Sequence, residues 1–158
     1  MENQNEMLLK KIVNAKPSAV ANIFGGEDFH DIRGKVDFYQ FDEGCVLVCF
    51  VSNLPKTNTN IFGFHIHQKG ECEGDFTSSG GHYGEGPHPC HKGDLPCLFS
   101  NDGNAFMVVF TDRFKVSEVI DKSMIIHHDP DDFTTQPSGN SGSRIACGII
   151  EKTKVLSL

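Results

Sequence analysis

An alternation of apolar and polar residues with a period of two, repeated along the chain, is the sequence feature that most limits its fold. Between Ile32 and Gln40, apolar residues such as Val36 and Phe38 take alternate positions, with charged residues between them, as in a half-buried strand. The apolar segment Cys45–Val51 follows after a turn and predicts the returning strand of a hairpin. Similar patterns predict further strands at Ala19–Ile23, Ile61–Gln68, Ala105–Thr111, Met124–His128 and Ile145–Ile150.

Helical periodicity is nearly absent from the sequence. Ser117–Asp121 could form one short helical turn. Two segments, Lys69–Asn101 and Asp129–Ser143, have almost no strand character, and loops of this length in a compact domain commonly carry function. Many short strands joined by polar turns predict an all-β sandwich or barrel, with residues 1–158 forming one domain.

The charge of the chain argues against two classes of partner. Its 14 lysine and arginine residues are outnumbered by 21 aspartate and glutamate residues, for a formal net charge of -7. Because nucleic acids and acidic membrane surfaces attract basic proteins, neither is expected to be a partner. The longest apolar run, Cys45–Val51, is also far shorter than the ~18 residues that cross a bilayer.

The N-terminal sequence predicts a cytoplasmic protein. Met7–Leu9 is followed at once by Lys10 and Lys11, so the apolar stretch of a secretion signal does not develop. The six cysteines favour the alternative, the processed form of an exported protein, because disulfides persist mainly in oxidising compartments. Residues 1–15 belong to no predicted element and are expected to form a flexible extension.

Eight histidines stand out in a chain of this size, and two of them lie on one predicted strand. His65 and His67 are two residues apart, so their side chains point to the same face and can hold one cation between them. Such a pair in isolation is more often two exposed polar residues. His127 ends another predicted strand and could complete a metal site with the pair.

A second group of metal-binding residues lies in the first long loop. His82, His88, His91 and Asp94 follow one another within a glycine-rich segment. Three imidazoles and one carboxylate make a complete tetrahedral shell for Zn²⁺, with no position left for a substrate. The group therefore predicts a structural zinc ion, with a solvated histidine-rich loop as the alternative.

Five motifs occur in order along the chain: Gly63-Phe64-His65-Ile66-His67, Gly80-Gly81-His82-Tyr83, His91-Lys92-Gly93-Asp94-Leu95-Pro96, Ile126-His127 and Gly139-Asn140-Ser141-Gly142-Ser143-Arg144-Ile145-Ala146-Cys147-Gly148. Taken together, they resemble the motifs of the copper/zinc superoxide dismutase family. The resemblance extends from about Ala19 to Ile150 and implies an eight-stranded antiparallel Greek-key β-sandwich or barrel with two long functional loops.

The resemblance implies a role for each residue that matches a motif of the family. Copper would be held by His65, His67, His82 and His127. Zinc would be held by His82, His88, His91 and Asp94. His82 belongs to both sets, because in the family this imidazole bridges the two metals, which requires the loss of both ring protons. Only Pro89 and Cys90 separate His88 from His91, so the zinc loop is expected to be compact.

Two further residues match positions that support the metals and the substrate. Asp131 corresponds to the carboxylate that hydrogen-bonds to ligands of both sites, with Asp132 as a competitor for the role. His128 follows a ligand but points to the other side of its strand, so it is expected to be a bystander. Arg144 corresponds to the arginine that docks the substrate anion beside copper, with its permanent charge and fork of N–H donors.

The activity that the resemblance implies is superoxide dismutation. Copper would cycle between Cu(II) and Cu(I) while superoxide is converted to O₂ and hydrogen peroxide, and His82 would carry a proton to the departing peroxide. The alternative is a protein on the same scaffold that stores or delivers copper and zinc without catalysis. Family members occur as monomers and as dimers, so a homodimer stays open.

Two of the six cysteines match the intrasubunit disulfide of the family, Cys72 and Cys147. Cys90 and Cys97 could form a second bridge or remain free thiols. Cys45 and Cys49 cannot bond to each other, because four residues of a strand span ~13 Å and a disulfide needs Cα atoms within ~7 Å.

One departure from the pattern of the family concerns how an anionic substrate approaches an acidic protein. No lysine occurs between His127 and Arg144, where some family members carry steering lysines. Lys69 and Lys92 are weak candidates for a replacement.

Overall fold

A computed structural model describes residues 10, 12–42 and 44–154, and most of the regular secondary structure in them is strand. The strands are β1 (Ala19–Gly25), β2 (Arg33–Phe41), β3 (Gly44–Ser52), β4 (Ile61–Phe62), β5 (Phe64–His67), β6 (Leu98–Phe99), β7 (Ala105–Thr111), β8 (Ser123–His127) and β9 (Arg144–Lys152). A short helix, α1 (Val116–Val119), lies between β7 and β8. Two 3₁₀ turns are formed by Glu27–Phe29 and Thr77–Ser79. The all-β prediction is therefore confirmed.

The strands pair antiparallel in a curled seven-stranded sheet of order β5-β8-β9-β1-β2-β3-β7, with a two-stranded ribbon of β4 and β6. The predicted hairpin is β2 and β3, in register from Arg33 opposite Ser52 to Phe41 opposite Gly44. Neighbours such as β3 and β7 are far apart in sequence, so the chain crosses over between the hairpins.

The segment predicted as one strand over Ile61–Gln68 is broken at Gly63. Its first part, β4, pairs with β6, and its second part, β5, pairs with β8. A Cβ atom at Gly63 would lie 2.9 Å from the Cβ and Oγ atoms of Ser141. The missing side chain thus allows the loop after β8 to pack against the strand that carries the histidine pair.

The core consists of inward-facing side chains from both halves of the curled sheet. Phe38, Leu47, Phe64, Ile66 and Met124 have no exposed surface, and burial of each such side chain stabilises the fold by about 1.5–3 kcal/mol. Phe64 and Ile66 belong to this core, so the alternating histidines of β5 point to the opposite face, which the long loops cover.

Some expectations concern residues that the structure does not describe. The segment Met7–Leu9, on which the cytoplasmic prediction rested, and most of the expected extension at residues 1–15 lie outside the described residues. That residues 1–158 form one domain stays a prediction. Within the described residues, none of the helices has the length and apolar character needed to span a bilayer.

Candidate metal centre

The strand β5 organises the site, because two segments of the first long loop pair with its backbone. The backbone of His67 pairs with that of His82 in an isolated antiparallel β-bridge, and the backbone of His65 pairs with that of Asp94 in the same way. The Ile66 N–H donates to the carbonyl of Gly93 at 2.9 Å. A Cβ at Gly93 would lie 2.3 Å from the Ile66 carbonyl oxygen, so this approach requires glycine.

Four histidines form a buried group that we call the strand cluster: His65, His67, His82 and His127. One ligand atom from each lies within 4.8 Å of those of the others. His65 and His67 come from β5, and His127 ends β8, which pairs with β5. The prediction that His127 adds to the His65–His67 pair agrees with this geometry.

The outward-facing nitrogens of the strand cluster are bonded to the protein. His67 Nδ1–H donates to the Gly80 carbonyl at 2.8 Å, and His65 Nε2–H donates to the Asp131 carboxylate at 2.7 Å. Since a carbonyl oxygen only accepts, the proton of neutral His67 is on Nδ1 and its Nε2 carries a lone pair. These bonds set the tautomers that a metal site needs.

The inward-facing nitrogens of the strand cluster lack suitable partners. Nδ1 of His65 and Nε2 of His82 are buried without a hydrogen bond. His67 Nε2 lies 3.2 Å from His127 Nε2, and His127 Nδ1 is directed at the Gly142 carbonyl at 3.4 Å. Two lone pairs therefore face each other, an arrangement that a cation between them would stabilise. The donor set fits copper, because imidazole suits this metal.

The second group, which we call the loop cluster, consists of His82, His88, His91 and Asp94. Three imidazoles converge on the carboxylate of Asp94, with His82 Nδ1 at 2.7 Å, His91 Nδ1 at 3.0 Å and His88 Nδ1 at 3.2 Å. The His88 atom makes no hydrogen bond at that distance. Three nitrogens and one carboxylate at this spacing fit the tetrahedral shell of Zn²⁺.

The clusters share His82 and are joined by Asp131. The carboxylate of Asp131 accepts from His65 Nε2 with one oxygen and from His88 Nε2 with the other, at 2.7 and 2.8 Å. A Cβ at Gly139 would lie 1.9 Å from Asp131 Oδ1, so a side chain there would displace the carboxylate. Asp132 instead accepts from Thr134 and Thr135 at the surface, so the structure favours Asp131 over Asp132 for the linking role.

Gln136, which the sequence did not single out, holds His88 by its backbone. Its side-chain Nε2 donates to the His88 carbonyl at 2.7 Å, and its Oε1 accepts from the His88 N–H at 2.9 Å. A glutamine in a loop carries no signal for such a contact until the fold brings the two segments together.

Burial keeps three imidazoles of the strand cluster neutral, those of His65, His67 and His127. It lowers the pKa of His67 to about 2 and that of His127 to about 3, and it also lowers the pKa of His65. Burial alone would raise the pKa of Asp94, but the hydrogen bond from His82 and the surrounding imidazoles lower it to about 2. At neutral pH His65, His67 and His127 therefore present neutral nitrogens and Asp94 presents a carboxylate, the forms that bind metals.

Arg144 begins β9 and is held by the loop that precedes His82. Its Nη1 donates to the Phe76 carbonyl at 2.6 Å and to Ser79 Oγ at 2.8 Å. Its Nη2 donates to the Gly80 carbonyl at 2.8 Å, the same oxygen that accepts from His67. The guanidinium is thus fixed beside the strand cluster by backbone groups, which leave no signal in a sequence.

The predicted disulfide between Cys72 and Cys147 is confirmed, with 5.7 Å between the Cα atoms. Cys90 and Cys97 are free thiols, so the second bridge considered for them is absent. Cys90 is exposed, whereas Cys97 is buried, where its sulfur accepts the N–H of Asp131 at 3.3 Å.

The remaining candidates lie outside the clusters. Cys45 and Cys49 are buried free thiols in β3, and burial raises the pKa of Cys45 to about 11 and that of Cys49 to about 12. His128 pairs with Asp129 and belongs to neither cluster. Lys92, a candidate steering residue, forms an ion pair with Glu118.

Comparison with known proteins identifies the family. The family model for copper/zinc superoxide dismutase matches residues 32–150. Superoxide dismutase [Cu-Zn] 1 of Aquifex aeolicus is 32% identical over 139 residues, which cover 75% of this chain and 79% of that protein. The copper chaperone for superoxide dismutase of Homo sapiens is 31% identical over 151 residues, covering 85% of this chain and 53% of the chaperone.

A solved structure supports the same assignment. It is the crystal structure of a double mutant of a superoxide-dismutase-like protein from Bacillus subtilis, with 30% sequence identity and a TM-score of 0.71. The match covers 84% of this chain and 96% of that one. With the fold, both histidine clusters and the family model in agreement, the chain belongs to the copper/zinc superoxide dismutase family.

Proposed function

We propose that this protein is a superoxide dismutase that binds copper in the strand cluster and zinc in the loop cluster. The observation that carries the proposal is the position of His82, which belongs to both clusters. Its Nδ1 faces Asp94, which leaves the unpartnered Nε2 for the strand cluster. A ring placed between two cations loses both protons, and a protein that only stores metal has no need for such an imidazole.

Copper would be held by His65, His67, His82 and His127, and zinc by His82, His88, His91 and Asp94. When bound, copper supplies the one-electron chemistry that oxidises one superoxide to O₂ and reduces the next to hydrogen peroxide, and zinc supplies a charge without redox chemistry.

The side chains of the protein supply orientation and a proton. His82 can hold a proton at Nε2 when this atom is not a ligand, and can donate it to the departing peroxide, while solvent supplies the second proton of hydrogen peroxide. Asp131 fixes the ring orientation of His65 and His88.

Arg144 provides the positive charge that an anionic substrate requires. Its charge contributes to the lowered pKa of His67 and of His127, which indicates that its field reaches the strand cluster. Three acceptors fix the guanidinium in place. Arg144 therefore supports docking of superoxide next to the proposed copper position.

The test is the decay of superoxide in stopped flow, with copper-loaded protein against copper-stripped protein. We expect only the loaded protein to accelerate the decay, and Arg144→Gln to reduce that rate about tenfold or more. Arg33→Gln is the control, because Arg33 lies outside both clusters and also donates to backbone carbonyls. A loaded protein no faster than the stripped one would contradict the proposal.

Storage or delivery of copper is the second candidate, and the charge around Arg144 favours it. Asp75 interacts electrostatically with Arg144, and the chain has a net charge of -7. Such a field attracts metal cations and repels superoxide. A delivery protein would leave superoxide decay unchanged and would release copper to a competing chelator.

The dependence of the rate on salt measures this field directly. If Arg144 steers the substrate, the rate falls as ionic strength rises, because salt screens attraction. A rate that rises with salt would show net repulsion by the acidic surface.

A further inference from the structure

The guanidinium of Arg113 belongs to neither cluster but binds backbone carbonyl groups in the segment of the loop cluster. Arg113 lies two residues after the end of β7. Its Nη1 donates to three carbonyl oxygens, those of Pro89 at 3.0 Å, His91 at 3.1 Å and Asp94 at 3.3 Å. All three acceptors lie within six residues of the first long loop, and two of them belong to the loop cluster.

The segment that Arg113 contacts pairs with β5 on one side, through Gly93 and Asp94. It is a tight turn in which the Asp94 N–H donates to the His91 carbonyl at 3.2 Å. The His91 N–H donates to Asp94 Oδ2 at 3.0 Å. These bonds hold the turn together, and the bond from the Ile66 N–H to the Gly93 carbonyl ties it to β5. Arg113 adds a second connection, to the end of β7.

Arg113 is well suited to this contact. Its charge is permanent, and its planar donors suit convergent oxygens. Three carbonyl dipoles that point to one place repel one another, and a cation among them removes this repulsion. The backbone N–H of Arg113 donates to Thr111 Oγ1 at 3.2 Å, which anchors the residue to the end of β7.

We propose that Arg113 is a positioning residue of the loop cluster. It fastens the turn that carries His91 and Asp94 to the end of β7, so that these side chains are arranged for zinc before the metal arrives. Arg113 thereby raises zinc affinity and slows zinc release without contacting the ion. This inference rests on the zinc site of the proposed function.

Arg33 provides a matched control for an arginine bound to carbonyl groups. Its Nη1 donates to the carbonyls of His30 and Ile32, and neither residue belongs to a metal cluster. Removal of either guanidinium loses the same kind of hydrogen bond. Of the two arginines, only Arg113 contacts the backbone of the loop cluster in this way.

The experiment measures zinc affinity and the ligand field in the same variants. Zinc is titrated against a chromophoric chelator in wild type, Arg113→Gln, Arg113→Lys and Arg33→Gln, and Co²⁺ is bound in place of zinc for its visible spectrum. For Arg113→Gln we expect zinc affinity about 10–100-fold lower and an altered Co²⁺ spectrum. Arg113→Lys should recover part of the affinity, and Arg33→Gln should match the wild type.

The outcomes separate this inference from the proposed function. If the wild type binds zinc and Arg113→Gln has the same affinity and Co²⁺ spectrum, the inference is wrong and the proposed function stands. If the wild type binds no zinc, both are wrong. Circular dichroism and thermal unfolding of the metal-free proteins test folding. If Arg113→Gln does not fold, Arg113→Lys against Arg33→Lys decides the question, with weaker zinc binding expected only for the former.

Discussion

The strand cluster and the loop cluster share His82 but are held in different ways. In the strand cluster, three ligands lie on paired strands. The Gly80 and Gly142 carbonyls face the outer nitrogens of His67 and His127, and of the three only His65 bonds through its outer nitrogen to a side chain, that of Asp131. The loop cluster lies within residues 82–94 and depends on side chains from elsewhere in the chain. These side chains are Arg113, Asp131 and Gln136.

This difference shows where each cluster is sensitive to mutation. A strand ladder fixes side-chain direction with backbone bonds that substitutions leave in place. A loop held by side chains loses one contact with each substitution. We therefore expect zinc affinity to respond to more residues outside the ligand set than copper affinity does.

Removal of the shared imidazole should disrupt both clusters and have the largest effect. His82→Gln leaves both sets one ligand short and removes the proposed proton donor. We expect copper-dependent superoxide decay to fall by about 10²–10⁴-fold, with loss of tight zinc binding, as measured by stopped flow and metal titration. His128→Gln, next to the strand cluster but outside it, should behave as the wild type. Full activity of His82→Gln would disprove the bridging role.

Removal of the disulfide should affect the strand cluster more than the loop cluster. The bridge from Cys72 to Cys147 closes a loop with a sequence separation of 75 residues, worth about 4 kcal/mol in the chain-entropy model. The short segment that follows Cys72 presents the carbonyls of Phe76 and Gly80 to Arg144. We expect the double serine variant to unfold at lower denaturant concentration and to lose more copper than zinc affinity.

The control for the disulfide is Cys90→Ser, which removes an exposed free thiol. It should unfold as the wild type does. Equal losses of copper and zinc affinity in the double serine variant would contradict the link between the segment from Phe76 to Gly80 and the strand cluster.

Substitution of Asp131 tests whether its carboxylate links the two clusters. Asp131→Asn replaces one of two accepting oxygens with a donor, so it can no longer accept from both His65 and His88. We expect copper and zinc affinities each to fall about 10–100-fold, as measured by chelator competition. Asp132→Asn is the matched control in the same loop and should retain both affinities. A variant of Asp131 that loses affinity for only one metal would show that the other ring is held independently.

Substitution of Asp132 should have the smallest effect of these variants, a change in stability that depends on pH. Hydrogen bonds from the side chain and backbone of Thr135, and from Thr134, hold its pKa well below the usual range. A carboxylate with a lowered pKa adds stability above its unfolded value of about 3.9, and this stability is lost as the pH falls through the folded pKa. Asp132→Asn should thus be slightly less stable than wild type at pH 7, with a smaller difference below about pH 4. Chemical unfolding at several pH values measures this, and a constant difference would contradict it.

Much of the fold could be predicted because its signals are local. Period-two alternation identified β2, and the apolar segment after a turn identified β3, while the fold class followed from the number of short strands. The break at Gly63 was missed, because it depends on contact with Ser141 in a distant loop. The strand β6 was missed as well, since two residues are too few to form a pattern.

By itself, the sequence determined which residues have metal-binding chemistry and that His65 and His67 share a face, because side-chain type and strand periodicity are properties of the local chain. Only the tertiary structure decided what surrounds them. It selected Asp131 over Asp132, left Cys97 a buried thiol, and brought Arg113 to the carbonyls of a loop about 20 residues away. The physical reason is that tautomers, hydrogen-bond partners and pKa values depend on atoms that are neighbours in space but distant in sequence.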